Sequence, residues 1–373
     1  MTTTLGERVA AAEVVEVELV RVGLPLRVAH RAAHGAEVVR DVVLVRVVLA
    51  DGSQGWGECS ALARPTYTSE HTAGAWVVLR EELAPARLAG RPSSVVGHPM
   101  AVSAVETAVA DALLRSAGRS LAVALAEPWG GHPATAVARC AVVGLDDGLD
   151  RTLSRVAALL DEGVAMVKLK VTPAEEHLAP VGAVRTAWPD LPVAVDFNGT
   201  ADEAALARLD GLGLVYIEQP APADDLVGSA RLAASIGTPI AIDESFTSLG
   251  SLEVAASLGA AALVNIKPAR CGGPFAAVAV VERVRSLGLG WFVGGMLETG
   301  IGRAGSLAVA ALPDGALPTD LGPSAAYVDA DLTEAIVLDR SGHVVVPLGP
   351  GLGVAPLPDR IDALAVDRLL LRR

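Results

Sequence analysis

The chain has 373 residues, of which 51% are hydrophobic and 3% aromatic, so alanine, valine and leucine must fill most of its core. Its net charge of −13, without a basic run, argues against nucleic acid and anionic membranes as partners. The cysteines are isolated, no apolar run reaches the roughly 18 residues of a membrane span, and "MTTTLGERVA" lacks the pattern of a signal peptide, so we expect a cytoplasmic protein.

The first third of the sequence predicts strands followed by helices. The stretches "VVEVELVRVGLPL" and "DVVLVRVVLADGSQGWGE" are rich in β-branched residues and include an Asp-Gly turn signal, which is typical of antiparallel strands. We expect "HRAAHGAEVV", between them, to be a loop. Residues 70–127 predict helices, and "AVSAVETAVADALLRSAG" has apolar residues at helical spacing before a glycine. Residues 1–130 are therefore predicted to form an α+β domain.

Residues 131–325 alternate short apolar strands with helical stretches. The predicted strands are "ARCAVVG", "VAMVKLKV", "LPVAVDFN", "LGLVYIEQP", "TPIAIDES", "AALVNIKP" and "GLGWFVGG", with "LPTD" at 317–320 as a short eighth. Buried strands separated by helices favour a parallel sheet, either a closed (β/α) barrel or an open doubly wound sheet. The lack of a strand-GxGxxG-helix pattern argues against a dinucleotide-binding sheet. Residues 326–373, rich in glycine and proline, are expected to return to the first domain.

The second to sixth of these strands each end in charged side chains. These are Lys168 with Lys170, then Asp196, Glu218, Asp243 and Lys267. In a barrel, the carboxyl ends of the strands form the mouth at which active sites lie. One such charge alone would be interpreted as a solvated loop residue, but the same pattern on five consecutive strands indicates a functional site.

Three of the charged residues predict a metal site. Asp196, Glu218 and Asp243 lie on adjacent strands, and their carboxylates would repel one another without a cation between them. Ligation by oxygen alone suits Mg²⁺, or alternatively Mn²⁺, and the absence of His and Cys from these strand ends argues against zinc. Asn198 and Glu244 follow closely and are expected either to support the ligands or to be ordinary turn residues.

Lysine occurs at only three positions, Lys168, Lys170 and Lys267, among 30 basic residues. Lysine can give up its proton in a protein, whereas arginine cannot. We expect the nearby ammonium of Lys168 and a metal to lower the pKa of Lys170, which would make it a base. Lys267 would face it from the opposite side of the barrel. This layout suits removal of a proton beside a carboxylate to give an enediolate, after which Lys267 either returns a proton or remains a cation during elimination.

These residues, in the motifs "VKLKV", "VDFN", "IEQP", "IDES" and "NIKP", resemble the muconate lactonizing branch of the enolase superfamily. The mandelate racemase branch, with Asp on the sixth strand and His on the seventh, does not match Lys267. Within the lactonizing branch, "VNIKPARCGG", "GGMLETGIGRA" and "VPLGPGLGV" are most similar to o-succinylbenzoate synthases that also racemise N-succinylamino acids.

The resemblance implies an α/β fold, a modified (β/α)7β barrel with an N-terminal α+β capping domain. It implies that Lys170 and Lys267 exchange protons with the substrate, that Lys168 assists, and that the three carboxylates hold Mg²⁺. Further contacts to a small-molecule carboxylate substrate are implied for Arg270, Gly294, Gly295 and Met296. The loops "HRAAHGA" and "ARPTYTSE" would close over the site, and we expect a homo-oligomer.

Three places depart from the pattern of this subgroup. Val142 stands where relatives often present a hydroxyl, Ala174 follows Pro173 where a glycine is expected, and residues 321–328 lack the expected polar segment. These differences concern the substrate and not the barrel chemistry. Dipeptide epimerisation and muconate cycloisomerisation therefore remain alternatives, as does a barrel without catalytic activity. For an epimerase, the region after the eighth strand offers only Asp320 and Asp329.

Overall fold

The computed structural model describes residues 4–32, 35–145, 148–313 and 315–373, with side chains described outside 28–36. Its first part is an antiparallel sheet with strand order β13-β1-β2-β3. The strands are β1 (Val14–Ala32), β2 (Gly35–Leu49), β3 (Gln54–Cys59) and β13 (Ala365–Arg372). The helices beside them are α1 (Leu5–Ala11), α2 (Thr72–Val78), α3 (Ala84–Leu88), α4 (Pro99–Ser116) and α5 (Leu121–Ala126), with π-helical Leu79–Leu83 joining α2 to α3.

The loop predicted for "HRAAHGAEVV" is wrong for the residues described. β1 continues to Ala32 and β2 begins at Gly35, while Ala33 and His34 lie outside the described residues. Antiparallel pairing with β1 extends along β2, for example between Pro25 and Val39, and this non-local pairing overrides the local polar composition.

Helix α4 lies directly on β3, as the glycines of "GWGE" require. A Cβ atom at Gly57 would lie 2.0 Å from the carbonyl oxygen of Ala104, and one at Gly55 would lie 2.2 Å from that of Ala108. The predicted helix in this region is confirmed, and it ends just before Gly118, which has a φ of +63°.

Seven parallel strands follow one another around the second part in chain order. They are β5 (Cys140–Val143), β6 (Met166–Lys170), β7 (Val193–Asp196), β8 (Ile217–Glu218), β9 (Ile240–Ile242), β10 (Leu263–Ile266) and β11 (Gly290–Val293). The helices are α6 (Gly148–Asp161), α7 (Glu175–Ala187), α8 (Glu203–Leu209), α9 (Leu226–Ser235), α10 (Leu249–Leu258), α11 (Pro274–Ser286) and α12 (Gly300–Ala310). The remaining elements are β4 (Ala136–Val137), paired with β12 (Val344–Val345), α13 (Pro358–Leu364) and three 3₁₀ turns (Glu127–Trp129, Pro268–Cys271 and Ser324–Ala326).

The segment 317–320 closes the ring of strands. Its main chain donates to the carbonyl groups of Trp291 and Val293 at 3.0 and 3.1 Å, and it exchanges hydrogen bonds with Ala138 and Cys140 at 2.9 and 2.7 Å. The segment fills the place of the predicted eighth strand without being a regular strand. The predicted capped (β/α)7β barrel is thus confirmed, and the open doubly wound sheet is excluded.

Apolar side chains fill the inside of the barrel and form the floor of its mouth. The rings of Tyr216 and Phe292 stack with their centroids 5.0 Å apart. The ammonium of Lys168 lies 5.3 Å from the Phe292 centroid, on the side of the carboxyl ends. None of the helices in the described part of the chain is both long and apolar enough to cross a membrane.

Candidate active site

The predicted charged residues meet at one end of the barrel. Lys170 lies opposite Asp196 in the register of β6 and β7, and Asp196 lies opposite Glu218 in that of β7 and β8. Asp243 follows directly after β9, and Lys267 follows directly after β10. The carboxyl ends of these strands therefore form one buried polar layer, as their spacing in the sequence predicts.

Each lysine of this layer forms an ion pair with one of the three carboxylates. The pairs are Lys168–Glu218 at 2.6 Å, Lys170–Asp196 at 2.7 Å and Lys267–Asp243 at 2.8 Å. Among the described residues, no three His, Cys, Asp or Glu side chains are grouped as metal ligands would be. In this arrangement three separate ammonium groups, and not one cation shared by all three carboxylates, relieve the repulsion between the carboxylates.

The expected lowering of the Lys170 pKa is wrong for this arrangement. Burial by itself lowers the pKa of Lys170, and Lys168 adds to that, but the carboxylate of Asp196 outweighs both and raises it. The pKa of Lys168 is also raised, because Asp320 and Glu218 outweigh its burial. The prediction considered the neighbouring ammonium and omitted the carboxylates in contact with each lysine.

Asp320 is a member of the site that the sequence analysis did not assign to it. Its carboxylate lies 2.5 Å from the Lys168 ammonium, on the segment that closes the barrel. Its second oxygen is buried and has no hydrogen-bond partner among the described residues. Asp320 ends the predicted eighth strand, so the rule that marked the other strand ends could have identified it.

Asn198 and Glu244 also lie in this layer. The Asn198 side-chain carbonyl accepts from Lys170 at 2.7 Å, and its amide donates to Glu244 at 2.8 Å. The second oxygen of Glu244 is buried, and no residue in the described part of the chain forms a hydrogen bond with it. Burial, followed by the charges of Asp243 and Asp196, raises the Glu244 pKa to about 7.

Glu218 is the most crowded of the carboxylates. It accepts from the Asn265 amide at 2.7 Å as well as from Lys168. Burial and the charges of Asp196, Asp320 and Asp243 raise its pKa to about 8 in spite of the lysine. The layer thus contains more carboxyl groups than its cationic side chains can neutralise.

The cap reaches into the mouth through Tyr67, which lies in the predicted loop "ARPTYTSE". The Tyr67 hydroxyl donates to Asp243 at 2.9 Å and accepts from Lys267 and Arg270 at 2.6 Å each. Arg270 also contacts Asp243, with its guanidinium 2.9 Å from the carboxylate. Burial alone would raise the Asp243 pKa, but Lys267 and Arg270 outweigh it and lower this pKa. The sequence predicted the loop but not the role of its tyrosine.

The turn after β11 lies between the mouth and the cap. A Cβ atom at Gly294 would lie 2.2 Å from the side-chain oxygen of Asn265, and Gly295 follows beside Leu321 and Glu298. Met296 is 4% exposed and belongs to the hydrophobic cluster of the cap. The predicted contact of this turn with substrate stays a prediction.

The positions that depart from the subgroup lie around the same end of the barrel. Val142 lies opposite Lys168 in the register of β5 and β6 and is 38% exposed. Ala174 precedes α7 and donates its amide to the Thr172 hydroxyl at 3.3 Å. In residues 321–328, the Ser324 hydroxyl is buried and donates to Asp331 at 2.6 Å.

The chemistry of the acidic side chains fits a hard divalent cation. Burial and the charges of neighbouring acids, Asp196 and Asp243 among them, raise the pKa of Glu218, and Glu244 offers a buried oxygen for which the described residues supply no donor. Oxygen donors of this kind are those that Mg²⁺ prefers. Acids and lysines gathered at the mouth of a parallel barrel, beneath a cap whose tyrosine reaches them, define a capped barrel enzyme with acid–base groups.

The chain belongs to the enolase superfamily. Residues 151–360 match the family model described as Enolase C-terminal domain-like. An N-succinylamino acid racemase from Amycolatopsis sp is 41% identical over 368 residues, which cover 95% of this chain and 98% of the racemase. An o-succinylbenzoate synthase from Geobacillus kaustophilus is 33% identical over 343 residues, covering 88% of this chain and 90% of the synthase.

Solved structures agree with this assignment. The muconate lactonizing enzyme from Pseudomonas fluorescens, complexed with muconolactone, superimposes with a TM-score of 0.86 and 28% identity, covering 95% of this chain and 100% of that enzyme. The resemblance drawn from the motifs, including the lactonizing branch, is therefore confirmed, and the chain is an enzyme of this superfamily.

Proposed function

We propose that this enzyme uses Mg²⁺ to remove a proton α to a carboxylate, and that it acts as an o-succinylbenzoate synthase, an N-succinylamino acid racemase or both. The observation that carries the proposal is the position of Lys170 and Lys267, which lie at the same level on strands four places apart in the barrel. Two amines on opposite sides of one mouth suit proton removal from one face of a substrate and proton return on the other.

Asp196, Glu218 and Asp243 would hold the Mg²⁺, with Glu244 and Asn198 beside them. When bound, the ion would supply positive charge to the substrate carboxylate as the α proton leaves. Lys170 and Lys267 take or return this proton on their own faces. Lys168, in contact with Glu218 and Asp320, remains an ammonium and contributes charge. Arg270 and the turn at Gly294, Gly295 and Met296 are proposed to position the substrate.

One contact favours this reading over the dipeptide epimerase. The negative charge of Asp320 is already paired with the Lys168 ammonium, which would compete with the ammonium of a dipeptide, and the side chain of Asp329 is 86% exposed. Muconate cycloisomerisation remains the alternative on the same machinery. A barrel without catalytic activity is set aside because the chain is an enzyme. A cytoplasmic homo-oligomer and the domain limits 1–130, 131–325 and 326–373 remain part of the proposal.

The test incubates the protein with Mg²⁺ in D₂O and a panel of N-succinylamino acids, dipeptides, muconate and the o-succinylbenzoate precursor. We expect α-deuterium uptake from N-succinylamino acids, or dehydration of the precursor, and loss of both in EDTA. If only dipeptides took up deuterium, the dipeptide epimerase would be favoured. If only muconate were turned over, the muconate cycloisomerase would be favoured. Turnover unaffected by chelation would remove the metal from the proposal.

Lys170→Arg and Lys267→Arg form a matched pair for the two faces. Each keeps a positive charge but removes a group that can accept a proton. We expect each variant to lose racemisation by at least about 1,000-fold while retaining deuterium exchange from one enantiomer, opposite for the two variants. Near wild-type racemisation in either variant would contradict the assignment of that lysine.

A further inference from the structure

Two charged residues of the cap, Arg40 and Glu58, are buried where the cap meets the barrel. Arg40 on β2 is 1% exposed and Glu58 on β3 is 3% exposed. Neither belongs to the polar layer at the mouth. Because charges are rarely buried so completely without dedicated partners, their contacts identify what they hold.

Arg40 joins the cap loop to the turn after β11. Its guanidinium donates to the carbonyl groups of Ser60 and Ala61, the latter at 2.9 Å, where the segment carrying Tyr67 begins. The same guanidinium donates through Nε to the carbonyl of Leu297 at 3.2 Å. One rigid, planar group thus links two segments that border the mouth from different domains.

Glu58 holds the other end of that turn. Its carboxylate accepts from the Thr299 amide at 3.1 Å, from the Thr299 hydroxyl at 2.5 Å and from the Gly302 amide at 2.9 Å. These donors form the first turn of α12, where a negative charge is favourable. The carboxylate that binds the N-terminus of this barrel helix therefore belongs to the sheet of the other domain.

The turn between these contacts depends on them for its conformation. Leu297 has a φ of +55°, which residues other than glycine seldom adopt unless their surroundings impose it. At its start, Gly294 packs against Asn265, the residue that donates to Glu218. A displaced turn would therefore move a neighbour of the acidic layer.

We propose that Arg40 and Glu58 are positioning residues through which the cap fixes the turn 294–300 in register with the loop that carries Tyr67. The consequence for catalysis rests on the proposed function, with this turn bordering the substrate. Loosening the turn should raise KM for N-succinylamino acids by about tenfold, the loss of roughly one charged hydrogen bond, with a smaller change in kcat.

The test compares Arg40→Lys and Glu58→Gln with Arg46→Lys by amide hydrogen exchange in the full chain. Arg46 is the matched control, because it lies on the same strand and bonds Glu16, Glu18 and Gln54 within the cap sheet. In both test variants, we expect peptides covering 294–302 to exchange at least about tenfold faster than in the unsubstituted protein. In the control variant, their exchange rate should not change. Arg40→Lys should also accelerate exchange over 60–66.

Unchanged exchange over 294–302 in both test variants, or an equal increase in Arg46→Lys, would overturn the proposal. If Arg40→Lys does not fold, Glu58→Gln decides on the same peptides. Amide exchange needs no substrate. Faster exchange in the variants, combined with no turnover of N-succinylamino acids or of the o-succinylbenzoate precursor by the unsubstituted protein, would count against the proposed reaction and leave the positioning role supported. Faster exchange with KM and kcat both at wild-type values would overturn the role in catalysis.

Discussion

Lys168 is held between two carboxylates from opposite parts of the barrel wall, Glu218 on β8 and Asp320 on the closing segment. Since a bound cation would draw on the charge of Glu218, Asp320 is the partner that keeps the ammonium in place. One carboxylate oxygen of Asp320 contacts the Lys168 ammonium at 2.5 Å, so this acid supplies negative charge where the lysine needs it.

Asp320→Asn is therefore expected to lower kcat by about tenfold or more, because the buried ammonium of Lys168 loses one charged partner. The measurement is steady-state turnover of the substrate that the D₂O panel identifies, with circular dichroism as the check on folding. Asp329→Asn is the matched control, since the Asp329 side chain is 86% exposed in the same stretch of chain. Equal kcat in the two variants would contradict this role of Asp320.

At the level of the elements, the contact of α4 with β3 leaves no room for a methyl group. A Cβ atom at Gly57 would meet the backbone of α4, which cannot move as a flexible side chain does. At Gly182, within α7, no described atom outside the adjoining turns of the helix lies within 4 Å of the corresponding position.

Gly57→Ala is expected to destabilise the protein by roughly 3 kcal/mol or more, through overpacking of the cap. Gly182→Ala should instead stabilise it by about 0.5 to 1 kcal/mol, because alanine is the better helix former. Thermal or urea unfolding measures both changes. A neutral Gly57→Ala would mean that the helix and the strand can separate freely.

The elements and the level of the site were predictable, because local periodicity and strand ends encode them. Asp196, Glu218 and Asp243 were located this way. The contacts of Tyr67 and Asp320 were not, since they depend on how the cap loop reaches the barrel and how segment 317–320 closes it. The strand ends on either side of residues 33–34 were missed for another reason: the pairing of β1 with β2, for example of His30 with Glu37, decided them, not their own composition.

Burial raises the pKa of several acids in the described part of the molecule, and three of these pKa values reach about 7 or 8: Glu58 at about 7, Glu244 at about 7 and Glu218 at about 8. For Glu58 the causes are burial and then the charge of Glu298, against the hydrogen bonds from Thr299 and Gly302. An acid with a raised pKa binds its proton more tightly when folded, so its contribution to stability is complete below the ordinary value of 4.5 and is lost as the pH rises through the raised value.

We therefore expect the melting temperature in EDTA to fall as the pH rises from about 5 to about 8. Added Mg²⁺ should reduce the fall, because it binds the ionised carboxylates of the folded state. Glu58→Gln should remove part of the pH dependence without affecting the response to Mg²⁺. Calorimetry measures all three, and a melting temperature that is flat in EDTA or insensitive to Mg²⁺ would contradict the expectation.

The strand that completes the cap sheet beside β1 is β13, which lies far from β1 in the sequence. Arg372 on β13 pairs with Glu16 on β1 across 356 residues of sequence. At ribosomal rates of about 5 to 20 residues per second, β1 waits on the order of 20 to 70 s for this partner. Until β13 has been synthesised, the open edge of β1 is thus a site for pairing with other nascent chains.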